Sequence, residues 1–393
     1  MISTDEALAR IFALLAPLDA ERVPIRRAAG RVLARPISPL RDQPPFPASA
    51  MDGYAIAGDP EPGARFRVIG TSAAGRRHDG PVGPEEAVRI FTGAPVPEGA
   101  TRVVIQEDVT RDGDTITIGG NVGTGTNVRP AGLDFTRTDS FAPARRLRPE
   151  DVALLAAMGH AEIPVIRRPV VALIATGDEL VMPGEVPGPD QIVASNNLGL
   201  AALVDAAGGT ARLLPIARDT EASLATAIDL AQGADLVVTI GGASVGAHDI
   251  VGAVAEGRGM ERAFYKVAMR PGKPLMAGRL DGMPMIGLPG NPVSSMVCGH
   301  VFLLPALRVM LGLGEHAAPR RKVPLAEGIG ANGDREHYMR AELGPDGARI
   351  ATSQDSALLS VLSAADALVV RPPNDPPREA GELVEIVPLG LSG

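Results

Sequence analysis

The chain has 393 residues, a net charge of −8 and 45% hydrophobic residues, with no tryptophan and one cysteine. Its length exceeds that of a single hydrophobic core and predicts two to four domains. The negative charge argues against a general nucleic-acid binder, because phosphate contacts need clustered lysines and arginines. An acidic start (Asp5, Glu6), the lack of an apolar stretch of membrane-spanning length and the single Cys298 predict a soluble cytoplasmic protein with no nucleic-acid and no membrane partner.

The first 168 residues predict a helix, a connector and a β-rich module. Ser3 to Glu6 has the spacing of a capping box and precedes an amphipathic pattern that ends near Pro17. Residues 23–40 carry prolines and arginines without a period and predict an irregular connector. From Tyr54 to Phe141 the pattern is β, and a helix with proline at its first position then begins near Arg148. The predicted strands are Arg65 to Ile69, Ala87 to Phe91, Val103 to Val109, Thr115 to Ile118 and Glu162 to Ile166.

From Pro169 strands and helices alternate, which predicts a mostly parallel sheet with helices on both faces. The predicted strands are Val170 to Ala175, Arg212 to Ile216, Leu236 to Ile240, Ala263 to Ala268 and Met285 to Leu288. The predicted helices run from a cap at Asn196 or Asn197 to Ala207, from Thr220 to Gln232, from Asp249 to Glu256, and from the turn at Pro289 to about Leu311. After Pro319 we expect a small C-terminal β domain with strands Arg335 to Leu343, Ala367 to Val370 and Glu382 to Val387, and a short helix at Ser356 to Leu362.

A glycine-rich turn follows the third predicted strand of this region. Gly241, Gly242, Ser244 and Gly246 leave backbone N–H groups free to bind an anion such as phosphate, and Asp249 adds a carboxylate that can hold a divalent cation. The alternative is a tight connection in which glycine permits positive φ and Asp249 caps a helix. Three glycines, a serine and a carboxylate within nine residues favour the ligand site.

Further site candidates lie in turns. Five carboxylates occupy such positions: Asp52, Asp134, Glu179, Asp219 and Asp249. Each alone is most simply a solvated acid, but the carboxyl ends of parallel strands share one edge, so the last three should lie together there and suit Mg²⁺. Arg270 and Lys273, in a Pro-Gly-Pro frame, suit an oxyanion, the alternative being an exposed basic loop. The six histidines lack zinc-site spacing, so no zinc site is expected.

Six motifs occur in a fixed order along nearly the whole chain. They are Ser49-Ala50-Met51-Asp52-Gly53-Tyr54-Ala55, Thr92-Gly93-Ala94-Pro95-Val96-Pro97, Thr176-Gly177-Asp178-Glu179-Leu180, Gly241-Gly242-Ala243-Ser244-Val245-Gly246 with Asp249, Ala268-Met269-Arg270-Pro271-Gly272-Lys273-Pro274 and Gly287-Leu288-Pro289-Gly290-Asn291-Pro292-Val293-Ser294. In these motifs the chain resembles the bacterial molybdopterin molybdenumtransferases, the MoeA family, which is related to the E domain of gephyrin. Several motifs in one order are far more specific than any one of them.

The resemblance implies a multidomain α/β protein, whose central three-layer domain with a mostly parallel sheet has the molybdopterin-binding fold. An inserted β-rich domain, a small linker domain and a C-terminal β-barrel-like domain complete it. The expected boundaries are 1–20 for an N-terminal helix packed with the α/β domain, 21–44 with 142–168 for the linker domain, 45–141 for the β-rich domain, 169–317 for the α/β domain and 318–393 for the C-terminal domain. The resemblance also implies an elongated homodimer with an active site shared between subunits.

For function, the resemblance implies Mg²⁺-dependent insertion of molybdate into adenylyl-molybdopterin, with release of AMP, to give molybdenum cofactor. The implied catalytic residues are Asp52, Thr92, Asp134, Glu179, Asp219, Asp249, Pro289 and Pro292. The implied binding residues are Gly241, Gly242, Ser244, Gly246, Arg270, Lys273, Ser294, Arg335 and Ser356, and the implied Mg²⁺ ligands are Asp219, Asp249 and Glu179. Transient contacts are implied with the molybdopterin adenylyltransferase and with apo-molybdoenzymes or their chaperones.

One position departs from the family pattern. The family has aspartate in an Asp-Ser/Thr-Asn triplet, whereas this chain reads Ala194-Ser195-Asn196. An alternative function is therefore a non-catalytic molybdopterin-binding or scaffold protein. A second alternative is an enzyme that adenylylates molybdopterin, which the β modules at both ends disfavour because the adenylylating relatives consist of the α/β domain alone. Molybdate and tungstate are both retained as substrates, since they are tetrahedral oxyanions of similar size.

Overall fold

The structure is a computed structural model of the chain, and it describes residues 1–242, 252, 254 and 257–390. The chain forms two compact units. The first unit comprises Met1–Glu21, Gly30–Ala34 and Val165–Gly393, and the second unit comprises Arg22–Ala29 and Arg35–Pro164. Of the predicted helix 249–256 the structure describes only residues 252 and 254, and both are helical.

Short helices and strands make up both units. The helices, in chain order, are α1 (Thr4–Phe12), α2 (Pro149–Ala157), α3 (Asn196–Ala206), α4 (Glu221–Leu230), α5 (Pro292–Cys298), α6 (Leu304–Met310) and α7 (Leu359–Ala364). The strands of the first half are β1 (Ala20–Pro24), β2 (Ala48–Ser49), β3 (Gly53–Ile56), β4 (Arg65–Ser72), β5 (Glu86–Ile90), β6 (Arg102–Ile105), β7 (Val109–Asp112), β8 (Thr115–Ile118), β9 (Val128–Arg129), β10 (Glu162–Ile166), β11 (Val170–Ala175) and β12 (Leu180–Val181). Those of the second half are β13 (Ile192–Val193), β14 (Thr210–Leu213), β15 (Leu236–Ile240), β16 (Glu261–Tyr265), β17 (Met269–Arg270), β18 (Met276–Leu280), β19 (Met283–Leu288), β20 (Arg321–Pro324), β21 (Glu336–Gly344), β22 (Gly347–Ile350), β23 (Ala367–Arg371) and β24 (Leu383–Pro388).

A six-stranded sheet forms the centre of the first unit, in the order β14-β11-β15-β19-β18-β16. The first four strands are parallel, and β18 and β16 each pair antiparallel with their neighbour. Strands β11 and β15 are runs of apolar, mostly β-branched residues buried on both faces, and apolar clusters cover each face of the sheet. The prediction of a mostly parallel sheet is confirmed, whereas β18 was not predicted.

Some predicted boundaries are wrong in this unit. Helix α1 ends at Phe12 and not near Pro17, because the N–H groups of Leu14 and Leu15 turn back to the carbonyls three residues earlier. Strand β14 ends at Leu213, two residues before Pro215, which has no N–H for a sheet hydrogen bond. Strand β16 covers 261–265 instead of 263–268 because the chain next enters a different sheet at β17.

One continuous apolar helical segment, 292–310, joins α5 and α6 through a π-helical stretch at Gly299–Leu303. It is long and apolar enough to cross a membrane, but 83% of its most apolar window is buried inside the protein. Val293, Val297, Phe302 and Leu307 belong to the main apolar cluster of the first unit. The segment is therefore a core helix of this unit.

The C-terminal sheet has the order β17-β21-β23-β24-β20, and β22 pairs with β21. A bridge between Leu325 and Ala348 joins the end of β20 to β22, so the strands close into the expected barrel-like arrangement. Strand β17 carries Arg270 and pairs parallel with β21. The expectation that Arg270 lies in a loop is therefore wrong, because long-range pairing extends this segment. Strand β20 was not predicted.

The second unit contains a six-stranded sheet in the order β6-β3-β5-β4-β8-β7. Strand β8 and helix α2 begin where the sequence predicts, the helix at Pro149. The predicted strand 103–109 is wrong in its middle, where Gln106–Asp108 form a 3₁₀ turn between β6 and β7. At the start of this turn the Gln106 N–H donates to the carbonyl of Asp52 at 3.0 Å.

Candidate functional site

A cavity of about 650 Å³ lies at the carboxyl ends of β11, β15 and β19 in the first unit. Ligands in open α/β sheets bind at this edge. The cavity brings together six residues that the sequence singled out: Glu179, Asp219, Gly241, Gly242, Pro289 and Pro292. A volume of this size accommodates a small-molecule ligand.

Glycine is required at two positions of the cavity wall. Gly241 has φ +91°, and an added Cβ would lie 2.9 Å from the carbonyl oxygen of Thr176. Gly177 has φ +145°, and an added Cβ would lie 2.2 Å from the carboxylate of Glu179, which folds back over it. The absence of side chains at these positions lets the loops after neighbouring strands approach one another.

The loop that carries Asp219 is held by its backbone and by Arg218. The Asp219 N–H donates to Oδ1 of Asp178 at 3.1 Å, and Nη1 of Arg218 donates to the carbonyls of Asp178 and Leu180, each at 3.1 Å. Within the described residues no hydrogen bond reaches the carboxylate of Asp219 or that of Glu179, and both side chains are exposed. The backbone is fixed while the carboxylates stay open to the cavity.

Carboxylate oxygens are the donors that Mg²⁺ prefers, so Glu179 and Asp219 fit the expected cation. Among the described residues, no group of three or more His, Cys, Asp or Glu side chains is arranged to hold a metal. Asp249, the third expected ligand, lies outside the described residues, as do Ser244 and Gly246 of the glycine-rich turn.

Ala194, the departure from the family pattern, lines the cavity and is only 4% exposed. The next residue, Ser195, is the N-cap of α3 and makes no side-chain capping bond. The prediction of a cap at Asn196 or Asn197 is therefore wrong. The physical reason is that the Asn196 amide instead donates to the carbonyl of Gly290 at 2.7 Å, across the cavity wall.

The turn at Pro289 connects the cavity to the segment that carries Ser356. Nδ2 of Asn291 donates to Oγ of Ser356 at 3.2 Å, and the Val293 N–H donates to the Ser356 carbonyl at 3.1 Å. The neighbouring Ser294 is buried in the first turn of α5. From the sequence, Asn196 was predicted only as a helix cap and Asn291 had no assigned role. The available signal for Asn291 was its position between Gly290 and Pro292 in a quoted motif.

The basic candidates lie beside this cavity but do not line it. Arg270 and Lys273 are exposed, and only Pro274 of their segment contributes to the lining. The guanidinium of Arg335 donates to the carbonyl of Met269 at 3.4 Å, which joins the start of β21 to β17. The structure thus places Arg270 on β17 and Arg335 immediately before β21, the strand that pairs with β17.

In the second unit Asp52 and Thr92 form a hydrogen-bonded pair. Oδ1 of Asp52 accepts from the Thr92 N–H at 2.7 Å and from its hydroxyl at 2.8 Å. These two bonds, with a smaller contribution from the positive charge of Arg89, lower the pKa of Asp52 below its ordinary value. Asp134 is exposed on a different turn, where its N–H donates to the carbonyl of Gln43 at 2.9 Å.

Three family models match consecutive parts of the chain. The MoeA N-terminal region (domain I and II) matches residues 2–159, a "Probable molybdopterin binding domain" matches 172–309, and the MoeA C-terminal region (domain IV) matches 322–389. The second match coincides with the part of the chain that forms the cavity at the sheet edge.

Curated relatives and solved structures agree with these matches. The chain is 37% identical to molybdopterin molybdenumtransferase 2 of Mycobacterium tuberculosis over 82% of each chain. It is 33% identical to the molybdopterin molybdenumtransferase of Haemophilus influenzae over 99% of each chain. The crystal structure of the molybdopterin biosynthesis MoeA protein from Pyrococcus horikosii superposes over 100% of both chains with a TM-score of 0.87 at 30% identity. The chain therefore belongs to the MoeA family of molybdopterin molybdenumtransferases.

Proposed function

We propose that this chain inserts molybdate into adenylyl-molybdopterin, with release of AMP, to form molybdenum cofactor. The observation that carries the proposal is the cavity at the carboxyl edge of the central sheet, where two open carboxylates lie beside a glycine turn. That combination suits a substrate with a pyrophosphate link, because backbone N–H groups bind phosphate and carboxylates bind the accompanying cation.

In this proposal the substrate phosphates bind at Gly241 and Gly242, with Ser244 and Gly246 completing the turn. Pro289 and Pro292 form the neighbouring part of the cavity wall, and their rings give it a fixed shape. Asn196 and Asn291 hold that wall through their bonds to Gly290 and Ser356, so the substrate meets a preformed surface.

Mg²⁺ would be held by Glu179, Asp219 and Asp249. When bound, it supplies positive charge that neutralises the phosphates and the leaving group. The chain's own contribution is positional, since Arg218 and Asp178 fix the Asp219 backbone and Gly177 leaves room for the Glu179 carboxylate. The molybdate would bind to the basic group of Arg270, Lys273 and Arg335 with the hydroxyls of Ser294 and Ser356.

We further propose a cytoplasmic homodimer whose subunits have the five-segment domain division expected from the family. Asp52, Thr92 and Asp134 would then act at a site completed by the second subunit. The two bonds from Thr92 support a role for Asp52 as an ionised, oriented carboxylate, because they stabilise its charged form. Transient contacts with the molybdopterin adenylyltransferase and with apo-molybdoenzymes or their chaperones would deliver the substrate and receive the product.

The test is an assay with adenylyl-molybdopterin, molybdate and Mg²⁺. We expect AMP release that requires both molybdate and Mg²⁺. The absence of AMP release would contradict the proposal. Asp249→Ala should abolish turnover while the protein stays folded by circular dichroism. Undiminished turnover in that variant would remove Asp249 from the mechanism but leave the activity itself in place.

A second candidate is a non-catalytic molybdopterin-binding protein. The observation that favours it is Ala194, which lines the cavity where the family has a carboxylate. Tight binding of adenylyl-molybdopterin with no metal-dependent AMP release would select this candidate over the first.

A further inference from the structure

Arg340 is a fully buried cation on β21 of the first unit, 0% exposed. Its Nη2 donates to the carbonyl of Asp355 at 2.9 Å and to that of Ser353 at 3.5 Å. The backbone N–H of Arg340 donates to Oε1 of Gln354 at 2.9 Å, and Nε2 of Gln354 donates back to the Arg340 carbonyl at 3.1 Å. Arg340 therefore fixes the three residues that immediately precede Ser356.

The other edge of the Arg340 guanidinium has no partner. Nε and Nη1 are buried and donate to no carbonyl or carboxylate in the part of the chain that the structure describes. Buried charges in proteins are almost always paired or hydrogen-bonded. Burial lowers the pKa of Arg340, and the positive charge of Arg270 lowers it further against the opposing effect of Asp355. Arg340 thus carries a buried charge that its own hydrogen bonds satisfy only in part.

His337 lies in a region with an excess of positive charge. It is buried on β21, directly opposite Arg270 of β17 and Arg371 of β23, and its Nε2 also has no partner among the described residues. Burial lowers its pKa to about 4, and the charges of Arg270, Arg340, Arg335 and Arg371 act in the same direction.

Carboxylates offset little of this charge. Arg371 is paired with the buried Asp375. Arg335 has an ion pair only with Asp334, whose Oδ1 lies 3.8 Å from Nε of Arg335 and whose side chain is 83% exposed. No carboxylate among the described residues pairs with Arg270 or Lys273. The neutral imidazole and three incompletely balanced arginines create a region that an anion of more than one negative charge would balance.

We propose that Arg340 is a positioning residue for a tetrahedral dianion bound between Arg270 and the Ser356 segment. One edge of its guanidinium holds the backbone that presents Ser356, and the incompletely paired charge of this buried group adds to the charges of Arg270 and Arg335. The inference rests on the proposed function, since molybdate is such a dianion. It adds Arg340, a buried residue of β21, to the residues expected to act on molybdate.

The test measures molybdate binding to the full-length protein by isothermal titration calorimetry. Arg340→Met should weaken binding by about tenfold to a hundredfold, the range for one lost hydrogen bond to a charged group. Arg340→Lys keeps the charge and should recover at least half of the loss in binding free energy. The matched control is Arg102→Met, which removes an arginine of the second unit that is 8% exposed and should leave molybdate binding unchanged.

Two outcomes of that titration would overturn the proposal. The first is a folded Arg340→Met variant that binds molybdate as tightly as the wild type. The second is an Arg340→Lys variant that binds no better than Arg340→Met, because the charge would then have no role. Circular dichroism of each variant separates loss of binding from loss of fold.

A measurement on the wild type keeps the proposal testable if Arg340→Met does not fold. The pKa of His337, followed by NMR with His337→Gln for assignment, should rise from about 4 when molybdate binds, because the dianion offsets the surrounding positive charges. An unchanged pKa at saturating molybdate would overturn the inference, as would a wild type that binds none of molybdate, tungstate, sulfate and phosphate. Molybdate binding without AMP release would instead contradict the proposed function and leave the role of Arg340 standing.

Discussion

The two ends of the central sheet in the first unit hold their carboxylates in opposite ways. At the amino end, Asp235 precedes β15 and accepts from Nη1 and Nη2 of Arg167 at 2.6 and 2.5 Å and from the Val170 N–H at 2.8 Å. At the carboxyl end, Glu179 and Asp219 receive no hydrogen bond at their carboxylates within the described residues.

The difference separates stability from function within one sheet. Asp235 ties the starts of two adjacent strands together, so its charge is used inside the fold. The open carboxylates at the other end contribute no such bond and stay available to bind a cation. Parallel sheets place ligands at the carboxyl ends of their strands, and the unpaired acids lie at that end.

The largest expected effect is that of Asp219→Asn. Loss of this carboxylate should lower the apparent Mg²⁺ affinity in the AMP-release assay by at least about 100-fold, the upper range for loss of a group that supports a metal site. The thermal midpoint should not fall, because the carboxylate makes no internal bond among the described residues. Asp190→Asn, an exposed acid outside the cavity, is the control. A variant with normal Mg²⁺ dependence would show that Asp219 is an ordinary surface acid.

Asp235→Asn should instead lower the stability of the protein and leave AMP release unchanged. Burial acts to raise the pKa of Asp235, but the bonds from Arg167 and Val170 outweigh it, so the pKa lies below its ordinary value of 3.8. A lowered folded pKa stabilises the protein above the unfolded pKa of about 4, and this stability is lost as the pH falls through the folded pKa. We expect a loss of about 2 kcal/mol at pH 7, moderated because the Arg167 side chain is 36% exposed.

Chemical denaturation at a series of pH values measures this effect. The difference between wild type and Asp235→Asn should shrink below about pH 4, where the wild-type carboxyl takes up protons. AMP release per folded molecule should stay at the wild-type level. A stability difference that is independent of pH would assign the effect to packing instead of the ion pair.

The sequence predicted the parts of this sheet that depend on local pattern. Strands β11 and β15 were predicted to the residue, since apolar runs bounded by polar turns specify a buried strand whatever its neighbours. Because parallel strands share a carboxyl edge, the meeting of Glu179 and Asp219 in one cavity also followed from the pattern.

Features that depend on distant pairing were not predictable in the same way. Strand β18 contains Gly278 and Arg279 and lacks β-branched residues, so it becomes a strand only through its two antiparallel neighbours. Arg270 joins the C-terminal sheet by pairing with His337, which lies far along the chain in β21. Arg340 occupies a polar position of an alternating strand, yet it is buried and bonded to the segment before Ser356.

A smaller effect is expected when the room for Glu179 is removed. Gly177→Ala places a Cβ 2.2 Å from the Glu179 carboxylate, whereas Gly184→Ala has the same kind of positive φ and meets nothing within 4 Å. Both substitutions should destabilise the protein by about 1 kcal/mol through backbone strain. Only Gly177→Ala should also raise the Mg²⁺ concentration needed for half-maximal AMP release, by about tenfold. Equal behaviour of the two variants would mean that the position of Glu179 does not matter.

The smallest expected effect is that of restoring the family carboxylate with Ala194→Asp. The new side chain would enter the cavity beside Glu179 and Asp219, where a third negative charge raises repulsion in the absence of a cation. The variant should therefore melt at a lower temperature than the wild type without Mg²⁺. Saturating Mg²⁺ should stabilise it more than it stabilises the wild type, because a cation that binds only the folded state adds more stability the more tightly it binds. Thermal melts with and without Mg²⁺ measure both changes. Ala194→Asn has nearly the same shape without the charge, so an equal response of the Asn and Asp variants would exclude the cation as the cause.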